Sequence, residues 1–314
     1  EIEAVLRGPD GFLSIDCTGK IWIDLTTSRP PLMRDIGAEF RARGGAVIDA
    51  PVTGSVDSAI RGDMLMFVGG EADDIERARP VIEAMGEIRK VGAHGNGYVA
   101  KLVNNQLWKI HAAAIGEAMV TAKLAGLDPK VWWDVMKGGA ADSFVLQHDV
   151  PSIFAGHYDP SFPIALCLKD LGLIEELMTE TGTRNELTRA THDRFKEAAA
   201  RYGTDAGEMT VCKLIEDDAG VELRVAGNWI AKFSRPPRGE PVAHSLQDQQ
   251  EKGRPDAGAI RLPHRWCRHR WLRAGASAVG RRALFGGAVG TWRRRPQLDL
   301  ADAGWTALGV QAKQ

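Results

Sequence analysis

The stretch GAHGNGYVAKLVNNQ, residues 92–106, combines three glycines with one lysine and the asparagine pair Asn104 and Asn105. A dinucleotide-binding loop requires G-x-G-x-x-G between a strand and a helix, whereas these glycines read G-x-x-G-x-G. A better interpretation is that the glycines allow close backbone approach at the start of a helix. Lys101 and Asn105, spaced i and i+4, then share one face of that helix. The stretch therefore predicts a polar site at a helix start, where two kinds of fold meet.

Upstream of this stretch, short apolar runs alternate with helical patterns. The runs lie in GKIWIDLTT, GGAVIDAPVTG, MLMFVGG and EIRKVG, each bounded by glycine or polar turn residues. Between the first two, Pro30 and Pro31 can start a helix, and Gly44 ends it. A second helix, EADDIERARPVIEAMG, carries acids in its first turn. This order predicts a parallel α/β sheet over residues 1–91.

Downstream, the pattern is helical throughout. Residues 98–129 form one long alanine-rich periodic segment. Four further helical patterns follow, in PKVWWDVMKGG, SFVLQHDVPSIFAG, IALCLKDLGLIEELMTETG and ELTRATHDRFKEAAARYG. The sequence thus predicts an all-helical domain over residues 92–225. The long first segment is expected to cross the domain interface or to pack against a second subunit, with Ala112, Ala113, Ala114 and Gly116 allowing close approach.

The remaining residues, 226–314, differ in composition. They hold 16 basic and 6 acidic residues, whereas residues 1–225 hold 24 basic and 35 acidic ones, within a net charge of −1. The segment is rich in Arg, Gly, Pro and Trp and has no helical or strand period. It is either a basic arm that binds anions such as nucleic acid, or the product of GC-rich DNA read out of frame. The second interpretation is favoured, so nucleic acid is not an expected partner.

Other composition features limit the functional class. No apolar run approaches the roughly 20 residues of a spanning helix, and the first residues resemble no signal peptide, so we expect a cytoplasmic protein without a membrane partner. The four cysteines are scattered singly, which predicts neither disulfides nor a zinc site. The histidines do not have metal-ligand spacing, so no metal is expected.

Several stretches together resemble the β-hydroxyacid dehydrogenase family, which includes 3-hydroxyisobutyrate dehydrogenase and tartronate semialdehyde (2-hydroxy-3-oxopropionate) reductase. They are GNGYVAKLVNNQ, IDLTTSRP, DAPVTGSVDSAIRGDMLMFVGG, GLDPKVWWDVMKGG and LCLKDLGLIEEL. The resemblance covers most of residues 1–222. It implies a Rossmann-like sheet followed by a helical domain similar to that of 6-phosphogluconate dehydrogenase, with NAD or NADP as cofactor and a 3-hydroxy acid or semialdehyde as substrate.

The resemblance also implies roles for particular residues. Lys101 corresponds to the catalytic acid/base, and burial would bring its pKa towards the working pH. Asn105 and the turn Thr53, Gly54 and Ser55 correspond to the substrate-binding residues, although the family usually shows S-G-G at the turn. Thr27 and Lys169 correspond to residues on the nicotinamide side. Imine reductases share this fold but place another residue where Lys101 stands, so Lys101 favours hydroxy-acid chemistry.

The resemblance raises two further expectations. The chain contains no G-x-G-x-x-G, so as given it is expected to lack the first strands of the nucleotide-binding domain and to be inactive. A homo-oligomer is expected from the long helix. The alternative function is a non-catalytic helical oligomerisation module with a basic anion-binding tail.

Overall fold

The structure, a computed structural model, describes residues 2–229, with the side chain of Asp57 excepted. Ten α-helices and five strands lie within this part of the chain. The helices are α1 (Ile2–Arg7), α2 (Pro30–Ala42), α3 (Ser55–Arg61), α4 (Ala72–Glu83), α5 (Asn96–Leu124), α6 (Pro129–Met136), α7 (Val150–Ala155), α8 (Ile164–Thr181), α9 (Glu186–Tyr202) and α10 (Thr210–Ala219). The strands are β1 (Ile21–Asp24), β2 (Ala46–Asp49), β3 (Val52–Thr53), β4 (Met64–Gly69) and β5 (Gly86–Gly92). A 3₁₀ turn at Phe12–Ser14 and a π-helical turn at Val145–Asp149 complete the regular structure.

The strands form one mixed sheet. β1 pairs with β2 and β4 pairs with β5 in parallel, as expected, but β4 runs antiparallel to β2 and β3. Only residues 54–63 connect β3 to β4. A parallel crossover needs about a dozen residues or more, so this short connection containing α3 returns the chain antiparallel. The α/β class is confirmed, with this one departure from a parallel sheet.

Each face of the sheet is covered by its own apolar layer. Val47 points towards α1 and α2, where Trp22 and Phe40 also lie buried. The next residue, Ile48, points to the opposite face and packs with Ile75 of α4. This alternation follows from the two-residue period of a strand. Both faces are therefore buried. Among the described strands β1 pairs with β2 alone, and its Trp22 side chain is buried.

α5 connects the sheet to the helical part of the chain. It contacts β2, β4 and β5 of the sheet and also α6, α8, α9 and α10 of the helical part. At Gly116 an added Cβ would lie 3.0 Å from Cys212, so the missing side chain lets α10 pack closely against α5. α5 begins two residues before the predicted start and ends at Leu124. The reason for the earlier end is that Gly126 has a left-handed φ of +90° and Asp128 caps α6.

The helical core extends past residue 225. Trp229 packs against Trp133 and Phe154, with ring centroids 5.6 and 4.9 Å apart. Packing in this core therefore continues four residues beyond the domain boundary suggested by composition. The expectations for the rest of the tail, residues 230–314, lie outside the described residues. No helix in the described part of the chain is long and apolar enough to cross a bilayer.

Candidate active site

The start of α5 is fixed by a buried carboxylate at the end of β2. Asp49 is fully buried and accepts hydrogen bonds from the backbone N–H groups of Gly95, Gly97 and Tyr98, at 2.9, 2.6 and 3.3 Å. Burial raises the pKa of Asp49, and these hydrogen bonds oppose that rise. A Cβ on Gly97 would lie 2.5 Å from the Asp49 carboxylate, so only glycine fits there. The glycines of the opening stretch therefore serve a close backbone approach.

A second strand-end carboxylate holds the same helix. Tyr98 donates its hydroxyl proton to Asp24 Oδ2 at 2.6 Å, and both side chains are buried. Burial raises the pKa of the Asp24 carboxyl and places the pKa of the Tyr98 phenol well above its ordinary value. Asp24 ends β1 and Asp49 ends β2, so both parallel strands deliver a carboxylate to the N-terminal turn of α5. Residues one turn further along α5 are consequently placed at the carboxyl edge of the sheet.

Lys101 lies on that next turn and is partly buried. Among the described residues, its Nζ has no hydrogen-bond or salt-bridge partner. Burial lowers its pKa to about 8, with Asp170 opposing the shift and the ammonium groups of Lys109 and Lys169 adding to it. A group with this pKa is a neutral amine in roughly one molecule in ten at pH 7 and in about half of them at pH 8, and the neutral amine is the state a general base requires.

The asparagine pair connects Lys101's helix to its surroundings. Asn105 Nδ2 donates to Asp170 Oδ2 at 2.7 Å, and Asn104 Nδ2 donates to Asn105 Oδ1 at 3.2 Å. Asn104 Nδ2 also lies 3.4 Å from Thr53 Oγ1, across from α5 to β3. Both ends of the Asn105 amide are thus occupied. Asn104, to which the sequence assigned no role, is the member of the pair that reaches Thr53 in the predicted substrate-binding turn.

The turn formed by Thr53, Gly54 and Ser55, called the carboxylate turn because the family resemblance implies that it binds the substrate carboxylate, has an unusual backbone. Gly54 has a φ of +125°, and Ser55 follows with a φ of +72°, which is rare for a residue with a side chain. The Ser55 Oγ is buried and has no hydrogen-bond partner in the described structure. Strained backbone and an unsatisfied buried hydroxyl are features that collect at ligand sites. The structure thus brings an available hydroxyl next to Thr53.

The two predicted cofactor residues meet directly. Lys169 Nζ of α8 donates to the Thr27 carbonyl oxygen at 3.0 Å, although the residues are 142 positions apart in sequence. Lys169 also pairs with Asp170 Oδ1 at 3.0 Å, and its side chain remains 46% exposed. An accessible ammonium therefore lies beside the loop that follows β1.

Three buried carboxylates, Asp149, Asp159 and Glu208, have oxygens within 4.8 Å of one another. Asp149 accepts a hydrogen bond from Trp108 Nε1 at 2.9 Å, and its other oxygen contacts His148 Nδ1. Asp159 Oδ1 accepts from the Ser161 backbone N–H. These contacts indicate a structural network, and we assign no metal to it.

Sequence reasoning did not find the residues that position the site. Asp24, Asp49 and Tyr98 are the anchors of α5, and Lys109 forms a buried pair with Asp170. The aspartates do share one signal in the sequence, since each is the last residue of an apolar parallel strand. Lys109 gives no such signal, because a lysine on a helix is ordinarily solvated.

Two family models and several known proteins match this chain. Residues 1–95 match the family model for the NAD-binding domain of 6-phosphogluconate dehydrogenase, and residues 95–215 match that for NAD-binding of NADP-dependent 3-hydroxyisobutyrate dehydrogenase. The L-threonate dehydrogenase of Cupriavidus necator is 31% identical over 225 residues, which are 71% of this chain and 75% of that protein. The 3-hydroxyisobutyrate dehydrogenase of Pseudomonas aeruginosa is 36% identical over 55% of this chain and 60% of its own length.

A solved structure supports the same relation. The Mycobacterium tuberculosis 3-hydroxyisobutyrate dehydrogenase, solved with L-serine, superposes with a TM-score of 0.63 at 30% identity. The superposition covers 68% of this chain and 76% of that one. A parallel strand edge leading into a long helix with a lysine of lowered pKa, together with these matches, defines an NAD(P)-dependent hydroxyacid dehydrogenase class. The chain belongs to the β-hydroxyacid dehydrogenase family, with NAD or NADP as the family's cofactor.

Proposed function

We propose that the whole protein to which this chain belongs transfers hydride between a nicotinamide cofactor and a 3-hydroxy acid or semialdehyde of the 3-hydroxyisobutyrate or 2-hydroxy-3-oxopropionate type, and the turnover expected below is that of the whole protein. The observation that carries the proposal is the Lys101 amine, which is unpaired among the described residues and has a pKa of about 8. Among the relatives in the comparison are a 3-hydroxyisobutyrate dehydrogenase and a 2-hydroxy-3-oxopropionate reductase. The chain spans about three fifths to three quarters of the length of such relatives, so the substrate belongs to the proposal.

The proposed chemistry assigns one proton to Lys101. When bound, the nicotinamide supplies the hydride acceptor for oxidation and the hydride donor for reduction. In oxidation, Lys101 Nζ takes the proton of the substrate hydroxyl as the carbonyl forms. In reduction, the ammonium returns that proton to the developing alkoxide. A general acid/base of this kind contributes about 10²–10⁴-fold to the rate.

The substrate carboxylate would be held by the turn that carries Thr53, Gly54 and Ser55. The buried Ser55 hydroxyl lacks a partner within residues 2–229, which suits a ligand oxygen. Thr53, two residues before Ser55, offers a second hydroxyl, and Asn104 Nδ2 is 3.4 Å from that hydroxyl. Asn105 would steady the substrate hydroxyl by exchanging one of its present amide contacts.

The cofactor side would be formed by Thr27 and Lys169. Thr27 follows β1 at the carboxyl end of the parallel strands, the edge at which doubly wound sheets bind nucleotides. The half-exposed Lys169 ammonium offers donors to the same edge. This donor set fits a polar, anionic nucleotide cofactor.

Oligomerisation through α5 and a cytoplasmic location belong to the same proposal. Val103 and Leu107, one turn apart on α5, are 44% and 52% exposed. Apolar side chains in this arrangement are typical of a helix that packs against another subunit. Light scattering tests the assembly, since a strict monomer would contradict it, and cell fractionation tests the location.

The pH dependence of turnover tests the role of Lys101. Oxidation needs the amine, so kcat/KM for the hydroxy acid should rise with pH and level off above about pH 8. Reduction needs the ammonium, so kcat/KM for the semialdehyde should fall through the same pH. The measurement is the paired pH profile in both directions. If kcat/KM rises through pH 8 in both directions of the reaction, or falls in both, Lys101 is not the acid/base.

Ser55 gives a separate test of the carboxylate turn. Ser55→Gly should raise the free energy of unfolding by about 1 kcal/mol, because glycine adopts a positive φ without strain. It should also raise KM for the hydroxy acid by about tenfold, because a hydrogen bond to a charged group contributes about 1.5–3 kcal/mol. The matched variant Ser55→Ala loses the same hydroxyl but keeps a side chain at the positive φ, so it should raise KM to a similar extent and remain less stable than Ser55→Gly. An unchanged KM in both variants would remove Ser55 from the substrate site.

A further inference from the structure

α5 carries a second buried lysine, eight residues after the first. Lys101, Asn105 and Lys109 are spaced by four and therefore share one face of the helix. The Lys109 side chain is 2% exposed, and its Nζ lies 3.3 Å from Asp170 Oδ2. The same Nζ is 5.4 Å from the Trp108 ring centre and 5.7 Å from that of Phe162. A cation in such surroundings is costly unless a partner compensates it.

That partner, Asp170, is shared among several donors. Its Oδ2 forms a salt bridge with Lys109 Nζ at 3.3 Å and accepts a hydrogen bond from Asn105 Nδ2 at 2.7 Å. Its Oδ1 forms a salt bridge with Lys169 Nζ at 3.0 Å. Both carboxylate oxygens are therefore engaged by groups other than Lys101, although the Asp170 charge still acts on Lys101.

The charges that face Lys101 come from three segments of the fold. They are Lys109 on α5 itself, Lys169 and Asp170 on α8, and Glu208 just before α10. The two lysines disfavour a further ammonium, whereas the two carboxylates favour one. The charge state of Lys101 therefore depends on which cation pairs with the Asp170 carboxylate.

We propose that Lys109 is a positioning residue for Lys101: its ammonium occupies the Asp170 carboxylate and leaves the Lys101 amine unpaired and directed to substrate. The catalytic role of this contact rests on the proposed function. The effect of Lys109 on the ionisation of Lys101 does not, because it can be measured in the protein without substrate. An apolar side chain would fill this position at no electrostatic cost, so the buried lysine indicates a requirement for charge.

Removal of the Lys109 charge is expected to change the ionisation of Lys101. In Lys109→Met, Asp170 Oδ2 loses its cation and becomes a counter-ion for the nearby Lys101 ammonium. A positive neighbour of Lys101 is lost and an Asp170 oxygen is freed to pair with its ammonium, and both changes raise the pKa of Lys101 from about 8 towards its ordinary value of 10.5. Lys109→Arg retains the cation and should leave that pKa nearly unchanged.

The ionisation of Lys101 can be measured without turnover. The 314-residue protein is treated with acetic anhydride at a series of pH values, and acetylation of the Lys101 peptide is quantified by mass spectrometry. The pH at which acetylation of Lys101 is half-maximal, its midpoint, should rise by about one pH unit or more in Lys109→Met. It should stay near the wild-type value in Lys109→Arg. Asp170→Asn should move it in the opposite direction. The matched control is Lys213→Met, which removes an exposed lysine that pairs with Asp217.

Each outcome decides the proposal. A Lys101 midpoint within about 0.3 pH units of wild type in folded Lys109→Met would overturn it, because Lys109 would then be only structural. Should that variant not fold, Lys109→Gln provides the same comparison, with an uncharged donor to Asp170 and an expected upward shift. If Lys101→Met retains turnover while Lys109→Met shifts the Lys101 midpoint, the proposed function fails and the positioning role stands. If Lys101→Met loses turnover but Lys109→Met leaves the Lys101 midpoint unchanged, the proposed function stands and the positioning role fails.

Discussion

Lys101→Met is expected to reduce turnover by about 10²–10⁴-fold, because the group that accepts and returns the hydroxyl proton is removed. Binding of the cofactor and of the hydroxy acid should change little, since Lys101 supplies neither the carboxylate turn nor the edge beside Thr27. Single-turnover kinetics separate the chemical step from binding. Loss of cofactor affinity with an unchanged rate of hydride transfer in the bound enzyme would reject the assignment.

The same substitution is expected to stabilise the protein. The pKa of Lys101 is lowered from 10.5 to about 8 in the folded state, so the folded state binds fewer protons than the unfolded state between these pH values. The resulting penalty is complete below about pH 8 and is relieved as pH rises towards 10.5. At pH 7, Lys101→Met should therefore raise the free energy of unfolding by about 1–3 kcal/mol.

Chemical denaturation at about pH 7 and at about pH 10.5 measures this effect. The advantage of Lys101→Met over the wild type should be present at the lower pH and largely gone at the higher. Lys213→Met is again the matched control, because Lys213 lies on the surface and should show no such pH-dependent gain. A methionine variant that is less stable than the wild type at the lower pH would contradict a strongly lowered pKa of Lys101.

Asp49→Ala is expected to have the largest effect on stability, about 3–5 kcal/mol. Removal of this fully buried carboxylate leaves the backbone N–H groups of Gly95, Gly97 and Tyr98 without their acceptor. Part of the cost is offset because a buried charge is also removed. Asp49→Asn keeps one acceptor oxygen and should be less damaging.

Urea unfolding monitored by tryptophan fluorescence gives the measurement. Asp74→Ala is the control, because Asp74 forms an i,i+3 pair with Arg77 at 3.0 Å near the surface and should cost about 1 kcal/mol or less. A cost for Asp49→Ala no larger than that control would mean that α5 does not depend on its strand-end anchor.

Local patterns were sufficient to predict the fold class and most of its elements, whereas α1, β3, α3 and α10 were not predicted. Apolar runs after glycine became β1, β2, β4 and β5, and the alanine-rich segment became α5. The direction of β4 could not be predicted, because it depends on the short connection through α3 rather than on the strand's own residues. The early end of α5 depends on the positive φ of Gly126, which a periodic pattern does not show.

The candidate site was only partly predictable for a related reason. The shared face of Lys101 and Asn105 follows from their spacing, but Thr27 and Lys169 meet across 142 residues, and only family resemblance suggested their shared role. The burial of charged side chains could not be predicted from the sequence. Lys109 has the pattern of an ordinary helix lysine until folding places it against Asp170 with 2% exposure.

The most direct test of the central claim, that Lys101 moves the substrate proton, is chemical rescue of Lys101→Ala with small amines. Oxidation of 3-hydroxyisobutyrate with NAD or NADP is measured for this variant with and without ethylamine, and with tetramethylammonium as a cation that cannot accept a proton. We predict turnover at least about 100-fold below wild type, partly restored by ethylamine as its neutral form increases and not restored by tetramethylammonium. Turnover of Lys101→Ala within about tenfold of wild type, with no response to any amine, would contradict the claim.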